Sequence, residues 1–149
     1  MAGARWTSEQ LEQHKDRKTK KPQANAVPIK PETKEQQGLI GVFKLRWPKI
    51  YETGALFAVP NEGKRDPKNS SRMIAEGLLS NVSDLILLWP VGNYHGACVE
   101  MKAKNGKPSK GQLTWLAERK ASGYATAVCY GMEEGLQFFD NYINNRLKE

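Results

Sequence analysis

Cysteine and histidine are scarce in this chain of 149 residues, which has only two of each. A disulfide-rich secreted scaffold needs several bridges, and a structural zinc site needs four Cys/His ligands at characteristic spacings. Neither pattern is present. Cys98 and Cys129 fall in predicted strands, where we expect buried, reduced thiols. His95 falls in a predicted turn and His14 near the start of the chain, so neither is a strong candidate for a site.

Long apolar runs are also lacking. No run approaches the roughly 18 residues that a membrane-spanning helix needs, and the first residues do not resemble a signal peptide. We therefore expect a cytoplasmic protein with no membrane attachment. The length suits one domain with a single core, and no internal repeat is visible.

Positive charge exceeds negative charge, with 23 Lys and Arg against 16 Asp and Glu and a formal net charge of +7. Such an excess favours an anionic partner, either a nucleic acid or an acidic membrane surface. A basic run over residues 15–21 lies within residues 1–30, which we predict to be a flexible basic arm. That arm is either a solvated tail or a contact for the DNA backbone. We assign residues 31–149 to the folded domain.

Helical and strand patterns alternate along that domain. Ser109 suits the cap of the third helix, and Gly123 suits its end. The order of elements predicts a mixed α/β fold in which helices flank a sheet. Helices are predicted over residues 31–47, 69–79 and 110–122 and from residue 132, and strands over residues 55–59, 85–89, 97–102 and 124–130.

Acidic and basic side chains are concentrated around the middle two predicted strands. Asp84 precedes the first of them, and Glu100 and Lys102 share one face of the second because side chains alternate along a strand. A hairpin could bring the three together. Two carboxylates are hard oxygen ligands that suit Mg²⁺ or Mn²⁺, and the ammonium could orient water or stabilise a phosphoryl transition state. The alternative is an ordinary salt bridge on a half-exposed strand.

A set of short motifs follows in order along the chain: Glu32-x-x-x-Gln36, Val59-Pro60-Asn61-Glu62-Gly63, Ala75-Glu76-Gly77, Val82-Ser83-Asp84-Leu85, Glu100-Met101-Lys102, Ser109-x-x-Gln112, Gly123-Tyr124 and Val128-Cys129-Tyr130-Gly131. In this order the motifs resemble the virus-type replication-repair nuclease family, VRR-NUC, of the PD-(D/E)xK nuclease superfamily. The resemblance covers residues 31–142, and the chain is similar to small stand-alone members from phage or prophage. The chain departs from the family pattern at Ser83, where the family has proline, and at Asn81, where glycine is frequent.

The resemblance implies a restriction-endonuclease-like fold and an endonuclease that hydrolyses DNA phosphodiester bonds with the help of Mg²⁺ or Mn²⁺. By matching positions, Asp84, Glu100 and the backbone carbonyl of Met101 are expected to bind the metal. Lys102 is expected to act on the water or the developing charge, and Glu32 to support the metal from the first helix. The family context suggests branched or structured DNA in phage replication or repair, inside a bacterial host cell.

Other positions leave alternatives open. The resemblance gives Gln112 a role in orienting the centre or touching substrate, whereas the residue alone also suits an ordinary exposed helix position. Glu35 competes with Glu32 for the place beside the metal, and the sequence does not decide between them. The loop after the first strand is either a plain connection or a contact for the phosphate backbone. Its candidate nucleic-acid-binding residues are Asn61, Lys64 and Arg65.

Three hypotheses about the activity follow. The first is the metal-dependent DNA endonuclease, acting as a homodimer by analogy with small members of the family. The second is a non-catalytic DNA-binding or assembly protein on a decayed nuclease fold, which the intact Asp84, Glu100 and Lys102 disfavour. The third is an RNA-processing enzyme with the same metal site, since contacts to the 2′-hydroxyl are not visible in a sequence.

Overall fold

Four strands form one mixed sheet in the computed structural model, which describes residues 30–60 and 67–147. The strands are β1 (Leu56–Ala58), β2 (Leu85–Leu87), β3 (Ala97–Lys102) and β4 (Ala125–Tyr130). The spatial order follows the chain order, with β1 and β2 antiparallel, β2 and β3 antiparallel, and β3 and β4 parallel. The parallel pair requires a crossover connection, which a helix supplies.

Helices pack on both faces of this sheet. The first and last helices contact each other and cover the face that carries Met101 and Cys129, while the crossover helix between β3 and β4 covers the other face. The mixed sheet flanked by helices confirms the predicted α/β architecture. In the described part of the chain the helices are α1 (Pro31–Arg46), α2 (Pro48–Glu52), α3 (Pro67–Ala75), α4 (Lys110–Ala121) and α5 (Met132–Ile143).

The core lies between the sheet and the pair formed by α1 and α5. Leu39 and Phe43 of α1 are fully buried, as helical spacing predicts, and Phe43 meets Phe139 of α5 edge to face at 5.3 Å. From the sheet, Val99 and Met101 point into the same core. Their neighbours Glu100 and Lys102 therefore point to the opposite face, towards α4.

Some boundaries differ from the sequence prediction. The residue Pro48 does end α1, but it also begins the short helix α2, because proline suits the first helical position. For the same reason α3 begins at Pro67, so the predicted start of this helix at residue 69 is wrong. Strands β1 and β2 are shorter than predicted. No helix among the described residues has the length and apolar character to cross a membrane.

The predicted nucleic-acid contacts Asn61, Lys64 and Arg65 lie outside the described residues, as do residues 1–29 of the predicted arm. Those expectations stay predictions. The described part nevertheless contains every other residue that the sequence assigned to the site.

Candidate active site

Asp84 stands at the entry to β2, where the antiparallel pairing with β3 brings it to Met101. Leu85 pairs with Val99, so the chain before β2 runs beside the second half of β3. The Asp84 carboxylate oxygen Oδ2 accepts a hydrogen bond from the Met101 backbone N–H at 2.9 Å. The predicted convergence of Asp84 with the Glu100–Lys102 segment is therefore present in the structure.

Glu100 is fully buried, with no exposed surface, and its two oxygens have different surroundings. Oε1 accepts a hydrogen bond from the Lys102 ammonium at 2.6 Å and another from the Gln112 side-chain amide. Oε2 is buried and has no hydrogen-bond partner among the described residues. An unpaired buried carboxylate oxygen is costly, so this atom marks a place where a ligand would be favoured.

Burial raises the pKa of Glu100 from its ordinary value of 4.5 to about 7; the hydrogen bond from Lys102 opposes this rise, and the nearby charge of Asp84 adds to it. Burial lowers the pKa of the Lys102 ammonium. The hydrogen bond to Glu100 and the negative charges of Glu100, Asp84 and Glu32 outweigh this effect, so the pKa lies above its ordinary value. Lys102 is therefore a cation at neutral pH. The surplus of carboxylates over cations around it favours a further positive charge.

Gln112 reaches Glu100 from the first turn of α4. Ser109 caps this helix as predicted: its hydroxyl accepts a hydrogen bond from the Gln112 backbone N–H at 3.1 Å, and the Gln112 side-chain oxygen accepts from the Ser109 backbone N–H at 2.8 Å. Because the oxygen is used in this capping box, the amide nitrogen is left to face Glu100. The structure thus brings Gln112 into the cluster.

Glu32 and Glu35 have different partners in the structure. Glu32 lines a cavity of about 400 Å³ together with Asp84 and Met101, and its Oε1 accepts a hydrogen bond from the Ala103 N–H at 3.2 Å. Glu35 instead accepts from the backbone N–H of the first α5 residue at 2.8 Å. Glu32 is therefore the acid at the cavity, and Glu35 serves the end of a different helix.

The donors available to a metal are few but chemically suitable. No cluster of three or more His, Cys, Asp or Glu side chains is placed to hold a metal within residues 30–60 and 67–147. The two side-chain donors are the carboxylates of Asp84 and Glu100. A hard divalent cation that keeps several waters, as Mg²⁺ does, needs only one or two carboxylates.

A backbone oxygen completes the set. The N–H and C=O of one strand residue point to the same side, and successive residues alternate sides. The Met101 N–H points to Asp84, whereas the Lys102 carbonyl accepts a hydrogen bond from Gly131 at 3.0 Å beyond the opposite edge. The Met101 carbonyl therefore faces the Asp84 side. Two carboxylates and this carbonyl fit Mg²⁺ or Mn²⁺.

Sequence reasoning noted Asn81 only as a departure from the family pattern, and it missed the contact that this residue makes. Its side-chain oxygen accepts a hydrogen bond from the Ser109 hydroxyl at 3.2 Å. The frequent glycine at this position indicates the left-handed backbone that Asn81 adopts, with φ 65°, but not the contact itself.

Comparison with known proteins agrees with this fold. A sequence model of the VRR-NUC domain matches residues 28–133, which is more than half of the chain. A solved structure described as a VRR_NUC domain protein superposes with a TM-score of 0.67 and 19% sequence identity, over 79% of this chain and 92% of that chain. No curated protein matches. The structural match shows the fold, and the family assignment rests on the sequence match.

Proposed function

Since the chain belongs to the VRR-NUC family, whose domains are nucleases, we propose that it is a divalent-metal-dependent endonuclease that hydrolyses phosphodiester bonds in DNA. The observation that carries the metal dependence is the arrangement of Glu100. One oxygen of this buried carboxylate is held by two donors, and the other has no partner among the described residues. A cation beside the second oxygen would complete this arrangement.

In this proposal Asp84, the Glu100 oxygen Oε2 and the Met101 carbonyl hold Mg²⁺ or Mn²⁺. When bound, the ion supplies an acidified water and neutralises charge on the phosphoryl group. Asp84 also fixes β3 through its hydrogen bond to the Met101 N–H. Glu32 borders the same cavity and supports the centre by holding Ala103.

Lys102 has donors to spare. An ammonium group carries three N–H donors, and one contact to Glu100 accounts for one of them. Because neighbouring carboxylates keep it charged, it can stabilise negative charge on a phosphate or orient the attacking water. Gln112 donates to the same Glu100 oxygen as Lys102.

DNA as the substrate is supported by charge close to the centre. The connection from β3 to α4 begins directly after Lys102 and carries exposed lysines at positions 104 and 107, and a third exposed lysine, at position 110, begins α4. None of the three forms an ion pair with another described residue. Free cations that follow the site in this way suit the phosphate backbone of a duplex.

The finer parts of the proposal come from the family resemblance. They are action on branched or structured DNA in phage replication or repair, a homodimer, and a place in the cytoplasm of a bacterial host. A non-catalytic DNA-binding role is less favoured because Asp84, Glu100 and Lys102 are all present and in contact with the same cluster.

The test is cleavage of linear, nicked, flapped and four-way DNA, with matched RNA duplexes, in Mg²⁺, Mn²⁺ or EDTA. We expect cutting of DNA in at least one metal and none in EDTA. The preferred DNA form would then define the substrate. Equal cutting in EDTA would contradict metal dependence. Cutting of RNA alone would show that RNA, and not DNA, is the substrate.

A further inference from the structure

Asn81 has a backbone conformation that few residues other than glycine adopt, with φ 65°. It lies three residues before Asp84 in the segment that leads into β2. Its side-chain oxygen accepts a hydrogen bond from the Ser109 hydroxyl at 3.2 Å, and its nitrogen donates to the Ser80 hydroxyl at 3.2 Å. Asn81 therefore links the segment that carries Asp84 to the start of α4.

Ser109 connects Asn81 to Gln112 by hydrogen bonds. Its hydroxyl donates to Asn81 and accepts from the Gln112 backbone N–H, so one rotamer serves both contacts. The capping box then fixes the Gln112 side chain with its oxygen towards Ser109 and its nitrogen towards Glu100. A continuous path of hydrogen bonds runs from Asn81 to the buried carboxylate.

Gly111 provides the space that this path requires. A methyl group at this position would lie 2.6 Å from Asn81 Cγ and 2.7 Å from both terminal atoms of the amide. Such distances are far inside van der Waals contact. Any side chain at position 111 would therefore move the Asn81 amide away from Ser109.

We propose that Asn81, Ser109 and Gly111 form an interlock that positions Gln112 and, through it, Glu100. The consequence for the centre rests on the proposed function, because it assumes that Glu100 binds the metal. The segment before β2 carries Asp84, and the strand β3 carries Glu100. The interlock connects both of them to α4 and so fixes their positions relative to each other. Its members are positioning residues and touch neither metal nor substrate.

The test compares Gly111→Ala in two backgrounds, the natural one and Asn81→Gly. Asn81→Gly keeps the left-handed backbone and removes the side chain that a methyl at position 111 would meet. In the natural background we expect Gly111→Ala to weaken Mn²⁺ binding and lower kcat by about fivefold to tenfold, the coupling typical of one hydrogen-bond network, with the KM for DNA unchanged. In the Asn81→Gly background the same change should not alter Mn²⁺ binding or kcat any further.

The effect of Gly111→Ala on Tm should have opposite signs in the two backgrounds. Alanine is a better helix former than glycine, so Gly111→Ala should raise Tm once Asn81 is replaced by glycine and lower it when Asn81 is present. Gly41→Ala is the matched control, because Gly41 lies inside α1, where an added methyl group would have no described atom within 4 Å. It should raise Tm without changing Mn²⁺ binding.

The side-chain amide resonances of Gln112 in the full ¹⁵N-labelled chain provide a measurement that is independent of nuclease activity. Gly111→Ala should shift them in the natural background and not in the Asn81→Gly background. If the effects of Gly111→Ala are equal in both backgrounds, the interlock is refuted. If the resonances show the coupling but the natural protein neither cuts DNA nor binds Mn²⁺, the interlock stands and the proposed function fails.

Discussion

At the residue scale, the two oxygens of Glu100 are used differently. Lys102 and Gln112 both donate to Oε1, while Oε2 is buried without a partner among the described residues. A charged carboxylate in this position is destabilised by burial, which is why its pKa is raised to about 7. A bound divalent ion would offset that destabilisation and would compete with a proton for the same oxygen.

Lys102→Ala is expected to abolish most cleavage while leaving DNA binding nearly intact. The ammonium stabilises charge that develops in the reaction, and removing one such donor typically costs about 10²-fold in kcat. Single-turnover cleavage and fluorescence anisotropy with the same DNA measure the two quantities. Lys120→Ala, which removes an exposed lysine from α4, is the control and should cut normally. Cutting by Lys102→Ala at the natural rate would rule out its assigned role.

Glu100→Gln should change how the metal-free protein responds to pH. Because the folded pKa is raised from 4.5 to about 7, the folded state holds the proton more tightly, so this contribution to stability is complete below pH 4.5 and is lost as the pH rises through 7. The Tm of the natural protein in EDTA should therefore fall between pH 5 and pH 8 relative to that of Glu100→Gln. Parallel Tm curves for the two proteins would contradict the raised pKa.

At the scale of elements, the first turns of α1 accept hydrogen bonds from two other parts of the chain. Glu32 holds the N–H of Ala103 at the start of the lysine-bearing connection, and Glu35 holds the N–H of Met132 at the start of α5. The Met132 N–H is one of the groups at the start of a helix that have no partner within the helix, and the Glu35 carboxylate satisfies it. The same short segment therefore supports both the site and the packing of the last helix.

Glu35→Ala and Glu32→Gln should separate these two tasks. We expect Glu35→Ala to lower the free energy of unfolding by about 1 kcal/mol, as the loss of a helix cap does, and to leave cleavage unchanged, because it removes the acceptor for the Met132 N–H. Glu32→Gln keeps an oxygen for the Ala103 N–H but removes the negative charge at the cavity, so it should lower cleavage with a smaller change in stability. Denaturant unfolding and cleavage rates of both variants measure this. The assignment would be reversed if Glu35→Ala lost cleavage and Glu32→Gln retained it.

The same pair of residues shows where sequence reasoning was limited. Strand alternation placed Glu100 and Lys102 on one face, and the hairpin then brought Asp84 close, because both effects follow from local geometry. Glu32 and Glu35 lie one helical turn apart on one side of α1, so periodicity does not distinguish them. Their partners come from distant parts of the chain, and only the packing of α1 against these parts decides the contacts.

The fold itself was largely predictable because its signals were local. Ser109 and Gly123 mark the ends of α4 as expected, and Gly123 has the positive φ of 86° that favours glycine. The interlock was not predictable, because the contact between Asn81 and Ser109 joins positions 28 residues apart. No local pattern records such a contact.

At the scale of the whole molecule, the net charge of +7 predicts DNA binding that weakens with salt. Replacing Lys104, Lys107 and Lys110 by alanine should reduce the slope of log K against log salt by about 3, since each phosphate contact contributes about 0.9. Alanine at Lys44 and Arg46, near the C-terminal end of α1, and at Lys49 in α2 removes the same charge and is the control. An equal loss of slope in both triple variants would contradict a specific role for the connection before α4.

The central claim is that Asp84 and Glu100 form a metal centre that cuts DNA, and the most direct measurement compares two isosteric variants. Asp84→Asn removes the proposed ligand, whereas Asp140→Asn removes a carboxylate that pairs with Arg146 on the surface. In Mn²⁺, with the best DNA substrate, we expect Asp140→Asn to cut at the natural rate and Asp84→Asn to lose cutting. Full activity of Asp84→Asn would contradict the account.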